Sequence, residues 1–337
     1  MNATTLEIKL AYTAGLRDIV LSELGQYPIM HIVREEGNSF YLDFVEDFSH
    51  ILCLRSVLRA SIISRNPKYN PLYISRHKAV LGKVISTIIE KDRSAFATFK
   101  ITCAGSDSPQ VRSIADFLQQ TYGLTEQEDA DLKVHIIKGE DMWEIGAQIS
   151  TRPLSVREYR VRNMQGAMDS TIAYAINSLC GLEKADSYLN IFSGSATLLI
   201  EAGQCYPNLK QLVGFDNNKE HLSLAIQNIK KAGLIKRIQL KEKDIFDKPD
   251  LGTFDVITSD LPFGMSISKH EDLGELYRCF VEYAEETLHH NGVLVIYTTE
   301  QALFKKIISG SEFRVIETIE LQLITATKTK IRPKIFV

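Results

Sequence analysis

From about residue 165 to the end, the chain alternates short apolar runs with amphipathic stretches, and few folds accept that pattern. Runs at 187–192, 211–215, 237–242, 254–259, 292–298, 313–323 and 330–337 read as strands, preceded by a helix at 169–180. Helices are expected between the first six strands. Such alternation specifies an α/β fold with a mostly parallel, doubly wound sheet covered on both faces. The last two runs leave no room for a helix, so they predict a terminal β-hairpin with one antiparallel strand.

The first half has a different rhythm. LEIKLAYT (6–13) reads as a strand, and LRDIVLSELG (16–25) as a helix with Leu16, Ile19, Val20 and Leu24 on one face. IMHIV (29–33) and SFYLDF (39–44) are strands separated by the turn-like REEGN, and a short helix from Asp47 leads into LRASIIS (58–64). The order βαββαβ is that of a ferredoxin-like unit. RNPKYNP (65–71) marks a hinge. Beyond it, a helix at 75–90 with Val80, Val84, Ile85 and Ile88 inward, a strand at 96–102, a helix at 111–120 and strands at 131–137 and 142–149 form a second small α+β module. The expected division is 1–66, 67–152, a linker and helix at 153–186, and the α/β domain at 187–337.

Composition narrows the function class. A length of 337 residues with 45% apolar and 24% charged side chains fits a soluble protein of two or three domains. MNATTLEIKL lacks the pattern of a signal peptide, and no apolar run approaches a membrane span. Five scattered cysteines without a C-x-x-C pair suit a reducing cytoplasm and argue against a zinc site, so no metal is expected. The net charge of -3 is unevenly spread: between Arg55 and Lys100 ten Lys or Arg face only Glu90 and Asp92. Arg152, Arg157, Arg160 and Arg162 form a second cluster, offset only by Glu158. Solvated faces and a polyphosphate footprint both explain such runs, and charge alone leaves both open.

Four features fall at the C-terminal ends of consecutive strands, where open α/β sheets bind ligands. FSGSAT (192–197) is a tight turn opening a helix, where the backbone of Ser193, Gly194 and Ser195 can approach a ligand. Asp216 and Asn217 follow the second strand, and Asp216 suits either a ribose diol or a helix cap. Asp244 and Ile245 follow the third, placed for an adenine amino group and ring or for a plain loop. The fourth strand ends in SDLPFG (259–264), a β-turn or a device for gripping an amino group.

The C-terminal half resembles a class I S-adenosylmethionine-dependent methyltransferase, and the whole chain is similar to the THUMP-domain RNA guanine-N2 methyltransferases. FSGSATLLIEA (192–202) resembles that family's F-C-G-S-G-T-x-x-I-E-A, and DLPFG (260–264) its (N/D)-x-P-(F/Y)-G signature. The segment 153–176 is similar to its Arg-x-Tyr-Arg stretch before the first strand. The resemblance implies ferredoxin-like and THUMP-like domains ahead of a Rossmann-like domain, and a monomeric enzyme acting on tRNA or rRNA with S-adenosyl-L-methionine. It implies cofactor contacts from Asn190, Phe192, Ser193, Gly194, Ser195, Thr197, Asp216, Asn217, Asp244, Ile245 and Asp260. Chemistry is assigned to Asp260 and the Leu261 carbonyl as acceptors, Pro262 as stiffener and Phe263 as stacking face. RNA phosphates are assigned to Arg152, Arg157, Arg160 and Arg162. Asn190 replaces the family's acid and Ala196 its second glycine, so weakened cofactor affinity is expected. Adenine N6, cytosine N4 and protein glutamine remain alternative acceptors, and a non-catalytic RNA scaffold is the rival of another class.

Overall fold

The structure, a computed structural model, describes residues 5–66, 74–103, 108–138, 142–162, 164, 166–262, 272–324 and 329–337. The chain divides into two compact units, Met1–Tyr12 with Val20–Ser155 and Thr13–Ile19 with Val156–Val337.

In the first half the elements are β1 (Glu7–Tyr12), α1 (Arg17–Leu24), β2 (Ile32–Glu36), β3 (Ser39–Asp43), α2 (Ser49–Leu52) and β4 (Val57–Asn66). They continue with α3 (Ile74–Ile89), β5 (Thr98–Cys103), α4 (Pro109–Tyr122), β6 (Thr125–Glu126), β7 (Leu132–Lys138) and β8 (Trp143–Gln148). The strands form one sheet in the order β2-β3-β1-β4-β8-β7-β5-β6. Its first four strands have the antiparallel ferredoxin-like order. β4 then pairs antiparallel with β8, from Ser61↔Gln148 to Asn66↔Trp143. The segments 1–66 and 67–152 therefore contribute four strands each to one sheet. One apolar core serves both, containing Leu10 and Ile62 as well as Val84, Phe99 and Leu118.

Two expectations need correction here. β2 lies later than the IMHIV run, because Gly37 at φ +55° closes a two-residue turn and keeps Arg34–Glu36 in the strand. Charged side chains suit this edge position. The basic run is also less free than counting suggests. Arg65 bonds Glu36 at 2.6 Å and Glu144 at 3.1 Å, and Lys100 pairs with Glu128.

The second half contains α5 (Ser170–Ser178), β9 (Ser187–Ile191), α6 (Thr197–Cys205), β10 (Gln211–Asp216), α7 (Lys219–Lys231), β11 (Ile238–Glu242) and β12 (Phe254–Asp260). After these come α8 (Leu273–Thr287), β13 (Leu288–Thr298), α9 (Gln301–Ile308), β14 (Thr318–Glu320), β15 (Leu323–Ile324), β16 (Lys330–Ile331) and β17 (Lys334–Phe336). Among the described residues the sheet order is β11-β10-β9-β12-β13-β17-β14. The first five strands are parallel, and β17 runs antiparallel to both β13 and β14. No α-helix joins β11 to β12; a single 3-10 turn at Ile245–Asp247 takes its place. Pro249 and Gly252 leave too little uninterrupted chain for helical turns. Residues 13–19 belong to this unit: Leu16 and Ile19 sit in its apolar cluster, and Ala14 bridges Gln322.

Helix α6 packs against the sheet through Gly214 of β10. A Cβ there would lie 2.5 Å from Leu199 Cδ1 and 3.0 Å from Ser193 Cβ. Gly214→Ala is expected to destabilise the protein by roughly 1–3 kcal/mol through overpacking, measurable as a lowered urea midpoint. A midpoint equal to wild type would mean the α6 contact is loose.

Candidate functional site

The strand order reverses between β9 and β12, so the loops leaving them diverge and open a crevice at their C-terminal ends. A cavity of about 230 Å³ lies there, and every cofactor residue expected from the sequence lines it. A larger hollow of about 580 Å³, between α9 and one face of β13, holds none of the motif residues. Size alone would favour the wrong one.

After β9 the backbone takes left-handed values at alternate residues: Phe192 at φ +56°, Gly194 at +47° and Ala196 at +60°. The turn is held in place: Ser193 N–H donates to Phe215 O at 2.9 Å and Ala196 N–H to Ser193 O at 2.7 Å. Gly194 N–H donates to Asp216 Oδ2 and Asn218 N–H to Asp216 Oδ1, each at 2.9 Å. The turn after β9 and the carboxylate after β10 thus fix one another, while Asp216 keeps lone pairs for a ligand. A Cβ on Gly194 would approach Met164 Cε to 3.0 Å.

Ala196 calls for a correction. Its methyl is fully buried in the apolar cluster and does not line the cavity. The left-handed backbone turns Cβ into the core, away from any ligand. Left-handed geometry costs an L-residue roughly 1–2 kcal/mol, of which a buried methyl offsets about 0.8 kcal/mol.

Asn190 is buried, and its Nδ2 donates to Thr258 O at 3.1 Å. Asp244 accepts from Asn217 Nδ2 and from Phe246 N–H, both at 3.0 Å, with Ile245 buried beside it. At the end of β12, Asp260 Oδ1 is buried and has no hydrogen-bond partner among the described residues, and the same holds for Ser193 Oγ on the same cavity wall. Orphaned polar atoms are rare in native proteins and point to a missing ligand. Burial pushes the Asp260 carboxyl up to about 7. Leu261 N–H donates to Tyr297 O and Pro262 O accepts from the Tyr277 hydroxyl, each at 3.0 Å. Phe263 and Gly264 lie outside the described residues.

The arginines also differ from expectation. Arg157 Nε bonds Glu201 Oε1 at 3.1 Å, and that carboxylate is fully buried in α6. The Tyr159 hydroxyl donates to the same oxygen at 2.7 Å. Arg160 donates to Met168 O at 2.5 Å and Thr197 Oγ1 at 3.2 Å. Both half-buried guanidinium groups are thus tied to a carboxylate and a carbonyl of the fold, so they are less free to meet phosphate than charge counting suggests. Arg152 and Arg162 are exposed, and Arg162 Nε reaches Gln227 Oε1 at 2.8 Å.

These ties bring a wall that sequence reasoning missed: Met164, Gly166, Ala167 and Met168 line the cavity. The signal available was the Arg-x-Tyr-Arg spacing ahead of α5. His221, with Nδ1 at 3.7 Å from Asp216 Oδ1, and Phe246 also line it unannounced.

Residues 157–328 match the family model described as UPF0020: RMKL-like, methyltransferase domain. The chain is 31% identical over 157 residues to the mouse (Mus musculus) U6 snRNA (guanine-N(2))-methyltransferase THUMPD2, covering 46% of this chain and 28% of that protein. It is 26% identical over 203 residues to a tRNA (guanine(6)-N2)-methyltransferase of Thermus thermophilus, covering 59% and 60% respectively. The chain thus spans less than two thirds of the length of these curated relatives. The crystal structure of TrmN from Thermus thermophilus superposes with a TM-score of 0.74 over 98% of both chains at 19% identity, a likeness of fold.

Two substitutions separate fastening from ligand contact. Arg157→Ala should cost about 3–5 kcal/mol by removing the guanidinium that compensates the buried Glu201 charge, read by denaturant unfolding, with the salt slope of RNA binding unchanged. Ala196→Gly should leave S-adenosyl-L-methionine affinity within a few-fold of wild type by calorimetry. A large gain in affinity would return the methyl to the cavity.

Proposed function

The chain belongs to the RMKL-like methyltransferase domain family, and from that premise we propose that it methylates the exocyclic N2 of a guanosine in a folded RNA, with tRNA as the substrate. The name of the Thermus relative suggests tRNA, and that of the mouse relative suggests a U6-type RNA as the competing substrate. The reading has the protein act as a cytoplasmic monomer, and five free cysteines are in keeping with a reducing compartment. No described helix is long and apolar enough to cross a membrane.

S-adenosyl-L-methionine fits the donor set. The tight turn at 193–195 with its buried Ser193 hydroxyl, the Asp216 carboxylate and the Asp244–Ile245 pair meet its three kinds of surface: polar amino acid, ribose diol and adenine. When bound, it supplies an electrophilic methyl on a sulfonium.

One observation carries the chemistry: Asp260 Oδ1 is buried and, among the described residues, unpartnered on the wall shared with the glycine turn. An exocyclic amine is a poor nucleophile because its lone pair spreads into the ring. Two acceptors, the Asp260 carboxylate and the Leu261 carbonyl, hold its two N–H bonds and favour a more tetrahedral nitrogen as positive charge grows on it. Pro262 limits the backbone freedom of both. Phe263 offers a stacking face for a base taken out of its helix. Arg152, Arg162 and the N-terminal unit are the proposed phosphate contacts, which position RNA without reading sequence.

A second reading, a non-catalytic RNA binder, is favoured by Asn190, which cannot carry the charge of an acid. Incubating purified protein with RNA transcripts and isotope-labelled cofactor, followed by nucleoside mass spectrometry, decides between them. N2-methylguanosine supports the enzyme; cofactor binding without product supports the binder.

Asp260 accepts best when ionised, so kcat/KM should climb with pH to about 7 and level above it. Asp260→Ala should lose transfer while cofactor affinity stays within a few-fold. Because the folded carboxyl lies above its unfolded value of about 3.9, the stability tied to its protonated form is lost as pH rises through about 7. The Asp260→Asn variant should therefore melt higher than wild type, by a margin that widens between about pH 4 and 7. A margin independent of pH would place the titration elsewhere.

A further inference from the structure

We infer that Tyr277 is a positioning residue for the 260–262 turn, acting through a one-way chain of hydrogen bonds that begins at the Glu300 amide. Glu300 N–H donates to Thr298 Oγ1 at 3.0 Å. Thr298 Oγ1 and the Tyr277 hydroxyl lie 3.0 Å apart, and the Tyr277 hydroxyl lies 3.0 Å from Pro262 O.

Chemistry fixes the direction. A carbonyl oxygen only accepts, so the Tyr277 proton points at Pro262 O. The proton between the two hydroxyls then belongs to Thr298, whose own lone pair receives the Glu300 N–H. Bonds aligned head to tail polarise one another and strengthen the last link. Burial raises the Tyr277 hydroxyl to about 12, which keeps it a donor through the working pH range.

The consequence falls on the peptides that flank the Leu261–Pro262 bond. β13 holds the amide of Leu261 through Tyr297 O at 3.0 Å. α8 holds the carbonyl of Pro262 through Tyr277. With the preceding peptide gripped by its N–H and the following one by its oxygen, the Leu261 carbonyl between them has little rotational freedom. Tyr277 itself is fully buried and does not line the cavity, so it acts through the turn and not on a substrate.

The inference rests on the methyl-transfer reading for its functional half, and its structural half can be tested without turnover. Tyr277→Phe and Thr298→Val each break the chain, and Thr298→Ser restores it. Hydrogen exchange at the Leu261 amide should quicken about tenfold in the first two variants and return to the wild-type rate in Thr298→Ser. On RNA that the wild type methylates, kcat should fall about 10- to 100-fold in the first two, with KM for RNA and cofactor affinity within a few-fold. Unchanged Leu261 exchange overturns the latch whether or not the protein is active. Unchanged kcat, or cofactor affinity falling in step with kcat, overturns it as a positioning device. An inactive wild type sinks the proposed function while the exchange result still decides the latch. Should Tyr277→Phe fail to fold, the Thr298 pair answers the same question.

Discussion

A carboxylate with no access to water governs the ligand side of the second unit. Glu201 lies in α6 among apolar neighbours, where an unpaired charge would cost several kcal/mol. Arg157 and Tyr159 come to it from the segment ahead of α5. Once those side chains are drawn in, the following residues have little choice of path. Arg160 closes on Met168 O and Thr197, and Met164 Cε comes to lie 3.0 Å from where a Cβ on Gly194 would sit. A demand for charge compensation in a helix thus shapes the wall of a cavity.

Strand–helix alternation made the sheet legible, and residue types at strand ends made the cavity legible. Glycine and aspartate at such ends have few structural reasons to recur in register. The failures share a cause: they depend on which atoms meet across long sequence separations. Counting charges could not tell that Arg157 would find Glu201 or that Arg65 would find Glu36 and Glu144. The direction of the Ala196 methyl depends on the sign of one dihedral, which local composition does not encode. The segment 161–168 has no periodicity, so nothing in it announced a cavity wall. Pairing of β4 with β8 was equally hidden, since alternation identifies strands without naming their partners.

The polar groups of the cavity fall into two classes. Asp216 and Asp244 have backbone and amide donors that tie them into the fold. Asp260 Oδ1 and Ser193 Oγ have none among the described residues and are buried. The first class makes the cavity rigid before any ligand arrives. The second weakens the fold locally and holds binding capacity in reserve, a departure from good packing that natural proteins keep at working sites.

The seven residues Thr13–Ile19 have an effect on how the molecule can be made. Ala14 bridges Gln322, some three hundred residues later, and Leu16 is sealed in the apolar cluster of the C-terminal half. That half cannot complete its core until both distant segments have been made. A fragment beginning at residue 156 would leave the seats of Leu16 and Ile19 open to water, so its poor behaviour would say nothing about the chemistry of the site.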